Sequence, residues 1–301
     1  MVRSRRPKSS RSNSSEPAVR ASLSLFVAFV MLLTLVPSVS AQEDTVQTRV
    51  LSVCQDPGNL PFSNEAGEGF ENQIAAVLAQ RMGVPLETYW YPQRMNVVRN
   101  TIRYKLPGQS YYRCDLLTGV PAGWGSVSST RPYYRSTYVL VYPKDLGLGV
   151  DSGQAFLALG KDRLSKLKIG IYDRTPATRW MQKHGLLDQA VPYRTMNADP
   201  DYYPGRIIER DLVQGKIDVA VIWGPIGGYY ARRVEDRPLV VIPLQSEPGV
   251  RFDYAIAMGV RHGESEWRSR VQTVIDDAQN EIDRILRDYG VPLVEEGGKP
   301  R

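Results

Sequence analysis

Residues 69–83 read GFENQIAAVLAQRMG, and the architecture follows from this stretch. Its apolar residues Phe70, Ile74, Val77, Leu78 and Met82 recur at i, i+4, i+7, i+8 and i+12. That is the spacing of one buried helix face. Gly83 supplies a C-terminal stop, because glycine takes the left-handed conformation without strain. Before the helix stands the apolar run VLSVC (50–54), then the loop DPGNLPFSNEAGE. After it, PLETYWYP (85–92) alternates like a second strand. Strand, helix and strand make a β-α-β unit, whose connection implies parallel strands. Open sheets of this kind hold ligands beyond the carboxyl ends of their strands. The loop 56–68 is therefore expected to form one wall of a ligand cleft.

A chain of 301 residues suits two domains. The net charge of +6 has a local origin. Residues 1–41 carry six Lys/Arg and one acid, Glu16, which leaves 32 bases against 31 acids in the rest. No basic block remains, so nucleic acid is not an expected partner. Residues 1–20 are positive, 23–36 are almost wholly apolar, and Val39-Ser40-Ala41 follows. These are the three regions of a secretory signal peptide, with cleavage expected after Ala41 and a mature protein that works outside the cytoplasm. The apolar run is shorter than the ~20 residues that span a bilayer. A retained anchor is the alternative, and no second run is long enough to cross. Ser4-Arg5-Arg6 has the look of a twin-arginine signal, but polar Pro7-Lys8-Ser9 follows where apolar residues belong.

Cys54 and Cys114 are the only cysteines. Export favours a bridge between them. Topology opposes one: Cys54 ends the first strand and Cys114 begins another, which would separate the sulfurs if the strands are parallel neighbours. Two cysteines alone make no zinc site.

Further along, residues 94–104 are expected to form a helix with Met95, Val98 and Ile102 inward. CDLLTGVPAG (114–123) reads as a third strand, and residues 136–142 as a long strand crossing between lobes. A second lobe follows. It has a short helix in 152–161, strands at 167–173, 216–224 and 239–244, a helix begun by Thr175-Pro176, and another over 204–214. Residues 252–260 read as the return crossing. The helix 264–288 then carries a continuous apolar stripe including Trp267, Val271, Ile275, Ile282 and Leu286. The expected boundaries are 1–41 signal, 42–138 first lobe, 139–248 second lobe and 249–301 back in the first.

Several motifs resemble the type II periplasmic solute-binding proteins of the polar amino acid class. They are Pro61-Phe62 before Gly69-Phe70-Glu71, Cys114-Asp115 through Gly119, and Pro132-Tyr133-Tyr134, with Ile169-Gly170 and Ile217-Asp218 through Ile222 in the second lobe. Three longer stretches are similar to one branch, the quinoprotein dehydrogenase-associated binding proteins, which include the J component of bacterial methanol oxidation clusters. These are CQDPGNLPFSNEAGEGFEN, YPQR followed by VRNT, and CDLLTGVPAG followed by TRPYYRSTYV. The resemblance implies an α/β fold of two lobes with a two-strand hinge and a cleft between them. It also implies a PQQ-dependent methanol or alcohol dehydrogenase as partner, with no cofactor held by this chain. A small-molecule ligand of an importer is the alternative.

In amino-acid binders of this fold, an arginine past the third strand clamps the ligand carboxylate, a bidentate contact that is hard to replace. Here that segment, residues 122–127, reads AGWGSV. The acid that such proteins place at the end of the late second-lobe strand corresponds to Trp223. A zwitterion entering this cleft would lose water without compensation. The cleft set implied is Asp56, Asn59, Phe62, Thr118, Val120, Trp124, Tyr133, Tyr134, Asp173, Thr175 and Trp223, rich in rings. Several have a plainer reading. Asp56-Pro57 is ordinary turn chemistry, Phe62 and Trp223 fill cores, and Thr175 starts a helix. Trp124, between glycines, is expected at the surface. No HExxH, GxSxG or phosphate loop occurs, and His184 and His262 stand alone, so no enzyme chemistry is indicated.

Overall fold

The computed structural model describes residues 50–93, 96–195 and 202–301. The expected signal segment, and Met95 of the expected second helix, lie outside the described residues.

The chain begins with β1 (Leu51–Gln55), then a short hairpin of β2 (Gly58–Asn59) and β3 (Ser63–Asn64), then α1 (Phe70–Met82). β4 (Leu86–Trp90) runs parallel to β1, as the β-α-β spacing requires. The helix buries Phe70, Ile74, Val77 and Leu78, and Gly83 closes it at φ 67°. Asn72 fixes the helix start. Its carbonyl oxygen accepts from Gly69 N at 2.9 Å, and its amide donates to Gln55 Oε1 at 2.7 Å. The loop is thereby pinned to the end of β1.

Among the described residues of the helix expected over 94–104, only α2 (Val97–Asn100) forms. Thr101 turns its hydroxyl back onto Val97 O at 2.5 Å and leaves helical geometry at φ −120°, ψ −106°. Val98 and Ile102 are buried all the same. β5 (Leu116–Pro121) pairs parallel with β1, and β6 (Ser128–Ser129) is a stub. β7 (Tyr134–Pro143) then serves both halves of the sheet. Its start, Tyr134 to Thr137, pairs with a late strand of the first lobe, and its remainder pairs within the second.

The second lobe holds α3 (Gly153–Leu157), α4 (Lys161–Leu164), β8 (Ile169–Tyr172) and α5 (Pro176–Lys183). Ser152 Oγ caps α3 by accepting from Ala155 N at 3.1 Å. β9 (Ala190–Tyr193) is an edge strand that tolerates Pro192 for that reason. The helix expected over 204–214 is a wide π turn, Ile207–Leu212. β10 (Val219–Trp223), α6 (Gly224–Arg233) and β11 (Leu239–Pro243) complete the lobe. β12 (Asp253–Val260) and α7 (Ser265–Asp288) return to the first.

The strand order is β4-β1-β5-β12-β7-β10-β8-β9, with β6 beside β12 and β11 beside β7. In the stretch read as the return crossing, 252–260, β12 pairs with β5, β6 and β7, and Ile256, Met258 and Val260 pack in the first lobe's core. The stretch starts in the second lobe. Leu244 N donates to Tyr138 O, Tyr138 N donates to Phe252 O, and Phe252 packs in the second lobe's core. Each lobe has its own core. In the first, α1 and α7 press Leu78, Ile275, Ile282 and Leu286 onto the sheet. In the second, Phe156, Trp180 and Phe252 fill one face, and Ile207, Leu212 and Tyr230 the other. Each fully buried side chain of this size contributes roughly 1.5–3 kcal/mol.

Cys54 and Cys114 form a disulfide, with Cα atoms 5.6 Å apart. The topological objection fails because Cys114 stands two residues ahead of β5 and outside its ladder with β1. Strand register therefore does not fix its distance from Cys54. The two lobes also touch through α6. Tyr230 donates to Leu60 O at 3.2 Å, and Arg232 donates to Arg287 O at 3.0 Å, at the carbonyl end of α7. Gly228 lies so close to Gly290 that a Cβ would stand 2.0 Å from its carbonyl oxygen. No described helix is long and apolar enough to cross a membrane.

Candidate functional site

A cavity of about 300 Å³ lies between the lobes, beyond the carboxyl ends of the first-lobe strands. Gly119 and Pro121 line it from β5, Trp223 from the end of β10, Tyr138 from β7, and Asn59 and Phe62 from the loop after β1. A larger cavity, about 980 Å³, opens at the opposite ends of β1 and β5, around Ser52, Asp115, Arg261 and Trp267. Ligands of open α/β sheets sit at the carboxyl ends, so the smaller cavity is the candidate site.

Its distinctive group is Glu71, which lines the cavity from the first turn of α1 and is 1% exposed. Thr118 donates to its Oε2 at 2.6 Å. Oε1 has no hydrogen-bond partner among the described residues. Gly119 makes room for it: a Cβ there would lie 2.2 Å from Oε1, and φ is +66°. Burial pushes the Glu71 carboxyl up from 4.5 to about 7. The Thr118 hydrogen bond pulls the other way, and the charge of Asp56 adds to the rise. Tyr133 and Tyr134 are likewise pushed up, first by burial and then by Glu71.

Around this carboxyl the walls are aromatic. Tyr138 and Trp223 have ring centroids 5.6 Å apart, and Trp223 and Tyr254 5.9 Å. Phe62 packs 5.3 Å from Phe70. No Lys, Arg or His lines the cavity among the described residues. Arg251 lies over the Tyr254 ring at 4.9 Å, and Arg135 is paired with Asp253 at 2.6 Å.

Of the residues expected in the cleft, Asn59, Phe62, Tyr134 and Trp223 line the cavity together. The others do not. Asp56 does turn chemistry, accepting from Gly58 N at 3.0 Å and Gln93 N at 2.6 Å. Thr118 is spent on Glu71, and Val120 packs in the small cluster beside the disulfide. Trp124 was expected at the surface, but it is half-buried against that same cluster, because the tight turn from Pro121 folds it back. Tyr133 is 1% exposed in the first lobe's core, with no partner for its hydroxyl among the described residues. Asp173 accepts from the Thr195 hydroxyl at 2.6 Å and from Thr195 N at 2.7 Å, and these two bonds, the hydroxyl's first, hold its carboxyl below the usual range. Thr175 precedes α5 but donates to Tyr172 O at 2.7 Å instead of capping.

Glu71, Gln93, Tyr138, Tyr254 and Ile256 line the cavity without having been expected there. Glu71 had a legible signal. It stands three residues before Ile74 and seven before Leu78, on the buried stripe, where an acid is out of place. Among the described residues, no group of three or more His, Cys, Asp or Glu is gathered to hold a metal. His184 sits at the end of α5, 2.8 Å from Glu247 Oε1, beside Lys183.

Two lobes on one mixed sheet, an interlobe cavity at the strand ends and a two-part first lobe define a type II periplasmic binding fold. No family model matches the chain. The periplasmic binding protein XoxJ of Methylobacterium extorquens AM1 is 34% identical, with TM-score 0.65 over 82% of this chain and 100% of that one. MxaJ from Methlophaga aminisulfidivorans MPT is 25% identical, with TM-score 0.66 over 81% and 100%. Protein MoxJ of Paracoccus denitrificans is 28% identical over 269 residues, 82% of this chain and 90% of its own. The chain belongs to this family of J-component periplasmic binding proteins. Amino-acid-binding proteins match at 19% identity, a likeness of fold alone.

Proposed function

We propose that this protein is a periplasmic, solute-binding-like component of a methanol or alcohol oxidation system. It assists a PQQ-dependent dehydrogenase by direct contact, in maturation or activation, after its signal segment is removed past Ala41. The observation that carries this reading is the wall of the interlobe cavity. Its one carboxyl, Glu71, has no cationic counterpart among the described residues, so the site lacks the pair that a free amino acid needs. A receptor for ordinary amino-acid import is therefore disfavoured. Kinship with XoxJ, MxaJ and MoxJ supports the oxidation system as the setting. The ties of α6 to Leu60 and to the end of α7 support a docking body whose halves are already joined.

The test is to mix the mature protein with purified PQQ dehydrogenase and measure complex formation and restored dye-linked activity. The reading expects association at micromolar concentrations and higher activity. No association there, with activity unchanged, contradicts it. The second reading, a receptor for a small ligand other than an amino acid, is favoured by the cavity itself. A ligand held at 100 times its Kd would raise stability by about 2.7 kcal/mol in a thermal-shift screen.

A further inference from the structure

We propose that the interlobe cavity binds a small primary amine as its ammonium ion, held by Glu71 and flanked by the rings of Phe62, Tyr138, Trp223 and Tyr254. This site does not depend on the contact with a dehydrogenase.

Four observations converge. Glu71 is 1% exposed and lines the cavity, and its Oε1 lacks a donor among the described residues. Oε2 already accepts from the Thr118 hydroxyl at 2.6 Å. A buried acceptor without a donor is destabilising, and a ligand N–H would relieve it. Second, aromatic faces attract cations, and three of these rings run in series at 5.6 and 5.9 Å. Third, the lining amides of Asn59 and Gln93 offer further carbonyl oxygens to an ammonium, which has several N–H groups to place. Fourth, a volume of about 300 Å³ stands at the small end of ligand sites and suits a compact monoamine.

The same features exclude an amino acid. Its carboxylate would enter beside Glu71 and meet no lining cation among the described residues. The groups that face Glu71 are Thr118, Asp56, Tyr133 and Tyr134, of which none is positive. Arg251, a cation beside the ring wall, is already stacked on Tyr254. Arg94 lies outside the described residues. Because burial pushes the carboxyl up to about 7, proton and ammonium compete for it. Binding should weaken as pH falls.

The experiment is calorimetric titration of the mature protein with benzylammonium chloride at about pH 8, with benzyl alcohol and benzoate in parallel. The expected result is saturable binding of benzylammonium, at least about tenfold tighter than benzyl alcohol, with benzoate weaker still. Lowering the pH to about 6 should weaken benzylammonium at least about threefold and leave benzyl alcohol unchanged. Glu71→Gln should lose about tenfold for the cation and little for the alcohol. Equal affinity for alcohol and cation, tighter binding of benzoate, or no heat up to about 10 mM would each overturn the proposal. These comparisons use the unaltered protein, so they decide the matter even if Glu71→Gln fails to fold. A folded Glu71→Gln that binds benzylammonium as well as the parent would also overturn it.

Discussion

Each lobe sets a carboxyl near the start of its first long helix, and the two have opposite fates. In the first lobe Glu71 is buried, receives one hydrogen bond and is pushed up to about 7. In the second, Asp173 follows β8 into solvent, takes two hydrogen bonds from Thr195, and has Arg174 and Arg194 nearby. Its carboxyl is held low. Distance from a helix start does not set a carboxyl's proton affinity; water and donors do. Where donors outnumber what burial removes, the charge stays, and where burial outruns them, the proton returns.

The contrast can be broken at several points. The largest effect is expected from Gly119→Ala. The new Cβ would stand 2.2 Å from Glu71 Oε1 at a backbone φ of +66°. Chemical denaturation should show a loss of roughly 2–4 kcal/mol, part of it recovered in Gly119→Ala with Glu71→Ala. If the single variant is as stable as the parent, the carboxyl does not lie against β5.

Next is pH. A carboxyl raised from 4.5 to about 7 on folding favours the folded state fully below 4.5. That advantage is lost as pH rises through 7, because the unfolded chain releases its proton first. Stability should fall by about 3 kcal/mol between pH 4.5 and pH 8 on this account, and Glu71→Gln should flatten the curve. A parent curve of the same shape as the variant's would contradict it.

A smaller effect follows from Thr118→Val, which removes the one donor to Glu71 without changing shape. A loss of about 1–3 kcal/mol is expected above pH 7, shrinking toward pH 5 where the carboxyl keeps its proton. Smallest is Asp173→Asn. The half-buried carboxyl is already served by Thr195 and has Arg174 and Arg194 nearby, so the melting temperature at neutral pH should barely move. A large shift there would mean that the second lobe also leans on its acid.

Much of the fold was legible because its helices and strands obey simple periods. The stripes of α1 and α7, the parallel pair β1 and β4, and the buried β10 stand where the spacing of apolar residues puts them. Other features depend on contacts that no spacing records. β9 carries a proline that only an edge position explains. Cys114 meets Cys54 because it stands outside the ladder. The cleft was legible only in part. Phe62, Tyr134, Trp223 and Asn59 reach it, whereas Asp56, Thr118 and Tyr133 turn inward to hydrogen bonds or core. Glu71 was visible as an acid on an apolar stripe, but a period alone cannot separate a helix-start acid from a buried one.

The most direct measurement is a carbon-13 NMR titration of the Glu71 side-chain carboxyl, assigned by its absence in Glu71→Gln. A midpoint near 7 in the ligand-free protein is predicted, with the Asp173 carboxyl of the other lobe titrating below its usual range. A Glu71 midpoint at or below 4.5 would contradict a buried, donor-poor carboxyl at the heart of the cleft.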